Sequence, residues 1–469
     1  MTAMTTMVLE TSESSFLLPK TIMKPLLRGG TIPFSKRVLV TQKHFSSSLL
    51  NMHPLDDSSV ESFFIPGAKV YDRYFYCPLD YDNEQTSPKI RIFVRHLVPP
   101  NKTDALKKMP FFLYLQGGPG FECALPTSGS SGWIKVAFEN GYQVLLLDQR
   151  GTGLSSQISS ESLSKSFQLD KEKADYLTHF RADSIIKDCE WIRKELTEGR
   201  SENEEKRISL LGQSFGGFCI ATYMSLFPQS IHKAYITGGV PPLVDTPDEV
   251  YRALYPRVIK KNQLYYKKFP RDVERVKMIV EYLSTNAVTL PNGGHLSPRR
   301  FLQLGLSFGG SGGYQTVHNL VQSASDDLER LDSLSYRTLR NIQEAQSWDT
   351  NVIYAILHEA IYCQSAPSRW SAERLLSEEP FATEFEWRSD QLKDKDKPIY
   401  FTGEMIYPFM FDDYSELRPL KNIAHLLAEK HWGQLYDKKV LNKIEHIESA
   451  GVSYFDDMQV ARIYNQYVD

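Results

Sequence analysis

Ile208-Ser209-Leu210-Leu211-Gly212-Gln213-Ser214-Phe215-Gly216-Gly217-Phe218 is the stretch whose reading decides the fold. Ile208 to Leu211 is a short apolar run of strand length, and a helical pattern opens near Phe218 and runs to Phe227. Between them stands a serine with small residues two before it and two and three after it. That spacing permits a sharp strand-to-helix turn. Such a turn strains the backbone and holds the hydroxyl clear, at a helix N-terminus whose dipole favours an oxyanion.

Working outward, Phe111 to Leu115 and Tyr142 to Leu147 are continuous apolar runs, as strands covered on both faces require. Ile90, Ile92 and Val94 alternate with polar neighbours like a half-buried strand, and Ala234 to Thr237 reads as one more strand. Ile185, Ile186, Cys189, Ile192 and Leu196 recur at helical steps. Strands alternating with helices predict a mostly parallel, helix-flanked central sheet of the α/β class. From Pro241 to about Lys395 the texture turns helical, with patterns over Tyr251 to Tyr266, Val273 to Leu283 and Asn351 to Cys363. This reads as an inserted helical cap over the sheet. Ile399 to Thr402 and Val452 to Phe455 look like returns to strand. The expected organisation is a leader over 1–55, a first core part over 56–240, the cap over 241–395 and an incomplete C-terminal core part over 396–469.

Composition narrows the function. Against 57 acidic side chains stand 54 basic ones, a net charge of -3, which excludes a broad nucleic-acid-binding field. No stretch approaches the length of an apolar membrane span, and a soluble globular protein is expected. The five cysteines, Cys77, Cys123, Cys189, Cys219 and Cys363, form no CxxC pair, so neither a disulfide framework nor a zinc site is expected. The first 55 residues carry Lys20, Lys24, Arg28, Lys36, Arg37 and Lys43 against Glu10 and Glu13, with dense hydroxyls ending in Ser46-Ser47-Ser48. That composition fits a chloroplast or mitochondrial transit peptide; without an address the protein would be cytoplasmic.

Two glycine turns follow strands upstream of the serine. Gln116-Gly117-Gly118-Pro119-Gly120 lets backbone N–H groups approach a ligand closely, as an oxyanion hole requires. Asp148-Gln149-Arg150-Gly151-Thr152-Gly153-Leu154-Ser155 contains no GxxxxGK[ST], which argues against a phosphate loop. Further on, Gly305-Leu306-Ser307-Phe308-Gly309-Gly310 repeats the elbow's residue pattern. Arg299 to Leu304 reads as a helix there, and Gly312-Gly313 falls where the elbow helix should begin, so Ser307 is expected in a cap loop.

The glycine-proline turn, Asp-Gln-Arg-Gly-Thr-Gly-Leu-Ser and Gly-Gln-Ser-Phe-Gly-Gly occur in the order and spacing of the prolyl iminopeptidases. Ile236-Thr237-Gly238-Gly239-Val240-Pro241-Pro242 and His358-Glu359-Ala360-Ile361-Tyr362-Cys363-Gln364 also resemble that family's longer branch, and the resemblance spans roughly Lys69 to Asp457. It implies the α/β-hydrolase fold and a serine aminopeptidase that releases N-terminal proline from peptides, with no cofactor, metal, nucleic acid or membrane. It further implies Ser214 as nucleophile and the N–H groups of Phe215 and Gly118 as oxyanion hole. The family's turn usually opens with histidine, where this chain has Gln116. Glu359 matches one of the cap carboxylates that receive the substrate's imino group, and Glu404 is a second candidate. Glu359 shares a helical stripe with Val352, Ile356 and Cys363, so a semi-buried carboxylate open to a cation is expected.

A serine needs a base to take its proton, and in this fold the chain order is serine, acid, histidine. Asp457 is the preferred acid, with Asp456 as its rival. Seven histidines follow Ser214, from His232 to His446, and all precede Asp457; none lies in the last twelve residues. The expectation is therefore a C-terminally truncated member of the family, its tail reading like a different splice choice or a retained intron. Such a chain would have crippled turnover, with His446 the nearest substitute base. An esterase and a non-catalytic ligand-binding protein on a hydrolase scaffold are the alternatives.

Overall fold

The computed structural model describes Leu55 and residues 60–388, 390–391 and 396–454. The leader and Asp456-Asp457 lie outside them. Among the described residues eight strands form one sheet: β1 (Glu61–Ile65), β2 (Ala68–Pro78), β3 (Lys89–Val98), β4 (Phe111–Leu115), β5 (Gln143–Asp148), β6 (Ile208–Gln213), β7 (Ile231–Thr237) and β8 (Glu448–Val452). Their spatial order is β1-β2-β3-β5-β4-β6-β7-β8. The first three strands pair antiparallel up to β5, and from β5 onward every pairing is parallel. Register brings Leu115 opposite Gly212 and Gln213 opposite Thr237, so the ends of β4, β6 and β7 lie side by side. Ligands in open α/β sheets bind at such carboxyl ends.

Helices cover both faces. Ala182–Leu196 and Phe215–Leu226 pack their apolar sides on β3 to β7 in one core, and Gly132–Glu139 closes part of the other face. Ile185, Ile186, Cys189, Ile192 and Leu196 are all buried, as their helical stepping predicts. All five cysteines are buried free thiols. Among the described residues no helix is long and apolar enough to cross a membrane, and no cluster of His, Cys, Asp or Glu could hold a metal ion.

Between β7 and β8 the chain builds the helical cap, which has its own apolar core around Tyr251, Tyr265, Phe301 and Val317. The patterns over Tyr251 to Tyr266 and Val273 to Leu283 lie in the helices Pro247–Lys268 and Asp272–Thr285. Asn351 to Cys363 is shorter than expected, a helix over Val352–Leu357 followed by a 3-10 turn over Glu359–Tyr362. Ile399 to Thr402 is not a strand. It runs through the cap core, where Asn262 donates to the Phe401 carbonyl at 2.8 Å and accepts from the Phe401 N–H at 2.8 Å. One amide side chain there supplies the pairing a neighbouring strand would give. Ile399, Phe401 and Leu427 belong to the same apolar cluster as the cap helices, and Leu435 and Tyr436 to that of the sheet. The last strand is also earlier than expected, Glu448–Val452 in place of Val452 to Phe455.

Candidate active site

Ser214 joins β6 to the helix Phe215–Leu226 with φ 80° and ψ -113°. A non-glycine residue in this region is strained, and strain of this kind is held only where the surroundings impose it. The helix begins at Phe215, three residues earlier than its apolar pattern suggested, so Gly216 and Gly217 are helical. Neither of them has positive φ. Their smallness serves packing: a Cβ on Gly216 would stand 2.0 Å from the Leu115 carbonyl oxygen, and one on Gly217 would stand 2.2 Å from that of Gly239. The elbow's glycines thus let the helix lie against β4 and the β7 turn. The look-alike Ser307 sits in a 3-10 segment, Gln303–Gly309, within the cap rather than in an open loop.

Ser214 lines a cleft of about 600 Å³ between sheet and cap, together with Gly117, Gly118, Phe121, Trp348, Tyr354 and Glu404. The glycine turn lies directly against the serine. A Cβ on Gly117 would be 3.0 Å from the Ser214 Cβ, and Gly118 has φ +122°, a conformation that favours glycine. The second glycine loop braces this turn from behind. Gln149 donates through Nε2 to the Gln116 carbonyl at 3.0 Å. Arg150, wholly buried, grips Asp188 through Nε at 2.7 Å and Nη2 at 2.6 Å. Its remaining N–H groups reach the carbonyls of Pro78, Leu79 and His179.

The two expected carboxylates part company. Glu404 lines the cleft and accepts from the Tyr354 hydroxyl, with His358 Nε2 at 3.8 Å. Glu359 does not line it. Its carboxylate accepts from the backbone N–H groups of Ala372 at 3.0 Å and Ser371 at 3.2 Å, at the start of the helix Ser371–Leu376. Burial pushes its pKa up to about 7 against the pull of those N–H groups. Glu359 is therefore fully buried and engaged by backbone, where a half-open carboxylate awaiting a cation was expected. Nothing in the sequence marks Tyr354, which meets the site only through tertiary packing, and the motif that contains Gln149 did not show that its side chain braces the glycine turn.

Among the described residues no histidine lines the cleft. His358 is buried and neutral, its pKa pushed down to about 3 by desolvation. His295 and His318 face Asp413 and Asp272. His446 Nε2 contacts the Pro228 carbonyl beyond the far end of the helix that Ser214 opens. Twelve helical residues separate the two ends, roughly 18 Å at the usual rise. His446 is therefore no substitute base in this arrangement.

Residues 110–287 match the model of the alpha/beta hydrolase fold. The chain is 41% identical over 410 residues to the proline iminopeptidase of Aeromonas sobria, an alignment that covers 87% of this chain and 90% of that one. The chain belongs to the proline iminopeptidase family. A second relative, proline iminopeptidase aneH of Aspergillus aculeatus, is 39% identical over 372 residues, covering 79% of this chain and 80% of its own. The family's α/β-hydrolase fold agrees with the mostly parallel sheet and the serine at the end of β6.

Proposed function

We propose that this protein is a serine aminopeptidase that releases proline from the N-terminus of peptides. The observation that carries the reading is Ser214, held at φ 80° on the wall of a cleft that also presents the Gly117-Gly118 turn and the Glu404 carboxylate. Ser214 Oγ attacks the prolyl carbonyl, and its proton passes to a base. The carbonyl oxygen gathers negative charge against the N–H groups of Phe215 and Gly118. The C–N bond then breaks, the shortened peptide leaves with a proton on its new amine, and a prolyl ester remains on Ser214. Water hydrolyses that ester and restores the hydroxyl. Glu404 receives the secondary ammonium of the N-terminal proline, a charge-assisted hydrogen bond that fixes which end of a peptide enters. Phe121, Trp348 and Tyr354 supply apolar wall for the ring. Asp457 is the proposed acid of the triad.

The base is the open element. Among the described residues no imidazole lines the cleft of Ser214, and loss of a triad base costs several orders of magnitude in turnover. That same observation favours a second reading, a ligand-binding protein that retains the scaffold without turnover. Hydrolysis of a fluorogenic proline amide separates them, measured on the chain, on Ser214→Ala, and on the chain extended by a histidine-bearing C-terminus. The expected result is near silence in the first two and turnover in the third. Silence in all three folded proteins would count for the binding reading. Ser214-dependent turnover in the unextended chain would overturn the missing-base argument.

Glu404→Gln in the extended protein tests the amine site. It should lower kcat/KM for the proline amide about 30-fold, as losing a charged hydrogen-bond partner implies, while a simple acyl ester is hydrolysed as before. Unchanged hydrolysis of both substrates would favour the esterase alternative, and equal loss on both would show that Glu404 is no amine site. The basic, hydroxyl-rich first 55 residues support import into a chloroplast or mitochondrion, and uptake of the labelled chain by isolated organelles tests it.

A further inference from the structure

Gln116 stands where the related turns usually have histidine, and its side chain is held at both its oxygen and its nitrogen. Its Oε1 accepts from the backbone N–H of Gly117 at 3.0 Å and lies 2.9 Å from the Tyr114 hydroxyl, while its Nε2 donates to the Glu122 carbonyl at 3.3 Å. The same hydroxyl lies 2.8 Å from the Oε1 position of Gln213, the residue before Ser214. A phenol has one hydrogen, so it cannot donate to both glutamines. Gln116 is fixed with its oxygen inward by the Gly117 N–H, so Tyr114 donates to Gln116 and Gln213 must turn its amide to donate to the tyrosine oxygen. Burial raises the Tyr114 pKa, which keeps it a donor, and its ring is stacked on Trp133 at 5.2 Å.

We propose that Gln213, Tyr114 and Gln116 form a directional bridge from the nucleophile's strand to the glycine turn, which positions the turn and withdraws the Gly117 N–H from oxyanion binding. These are positioning residues: none needs to touch the reacting atoms. The bridge links the ends of β4 and β6 and sets the turn's distance from Ser214 with side chains, where the sheet's own hydrogen bonds have ended. Its role in turnover rests on the peptidase reading; its existence does not.

The test therefore has two readouts, made on the histidine-extended protein and on Tyr114→Phe, Gln116→Leu and Gln116→His. Amide hydrogen exchange at Gly117, read by mass spectrometry with residue-level fragmentation, should be at least about tenfold faster in Gln116→Leu, because the acceptor Gln116 Oε1 is gone. Unchanged exchange at Gly117 overturns the bridge whatever the activity. In turnover of a proline amide, Tyr114→Phe should lower kcat about tenfold with KM and thermal midpoint unchanged, and Gln116→His should restore most of what Gln116→Leu loses. Faster exchange with an unaltered kcat in Tyr114→Phe overturns the positioning role. A silent parent with a protected Gly117 amide overturns the peptidase reading and leaves the bridge standing.

Discussion

Glu359 illustrates how one residue can match a family position and still be taken up by the fold. Its two oxygens face two backbone N–H groups in a buried site, and desolvation lifts its pKa from 4.5 to about 7. An acid raised on folding holds its proton more tightly in the native state, so the stability it confers is whole below about 4.5 and is lost as pH rises through about 7. Relative to Glu359→Gln, the parent should lose on the order of 3 kcal/mol between those limits. Urea unfolding of both proteins across pH 4.5 to 8 checks this, and parallel curves would refute it. The elbow serine was legible in the sequence because a strand, a small-residue turn and a helix follow one another locally. The withdrawal of Glu359 was not, because the helix that caps it lies a dozen residues on and meets it only in the cap.

At the scale of elements, Asn262 decides the path of Ile399 to Thr402. That run is apolar enough to be a strand, yet among the described residues no strand pairs with it; the helix Pro247–Lys268 reaches it with an amide that satisfies both polar groups of Phe401. Asn262→Ala would leave that buried N–H and carbonyl unpaired, at a cost of about 2 to 4 kcal/mol. Calorimetry should show the loss, and a change within about 0.5 kcal/mol, the range of ordinary surface substitutions, would refute it. Local pattern reads strand and helix well where neighbours in sequence become neighbours in space, as in β4, β5 and β6. It fails where a side chain from far away replaces a ladder.

For the whole molecule, the Arg150–Asp188 pair is the junction. Asp188 takes the guanidinium bidentately and the Tyr81 hydroxyl at 2.8 Å, so the loop after β5, the end of β2 and the helix Ala182–Leu196 meet at one buried charge pair. Removing one partner of such a pair costs about 3 to 5 kcal/mol, because the other charge stays buried and unpaired. Asp188→Ala should therefore lower urea stability by that amount, and turnover of the extended protein should fall with it, since Gln149 and the glycine turn hang from the same loop. Full activity at unchanged stability would show that the turn is held without this brace.

The strand, turn and helix around Ser214, the apolar runs of β4, β5 and β6 and the glycine turn before the serine were legible in the sequence alone, because each rests on contacts within a few residues of one another. Only the tertiary structure decided which carboxylate faces the cleft, which N–H of the turn is left for an oxyanion, and that His446 lies at the wrong end of a helix. Those outcomes depend on where distant elements come to rest, and packing settles them through burial and hydrogen bonds that no local pattern encodes.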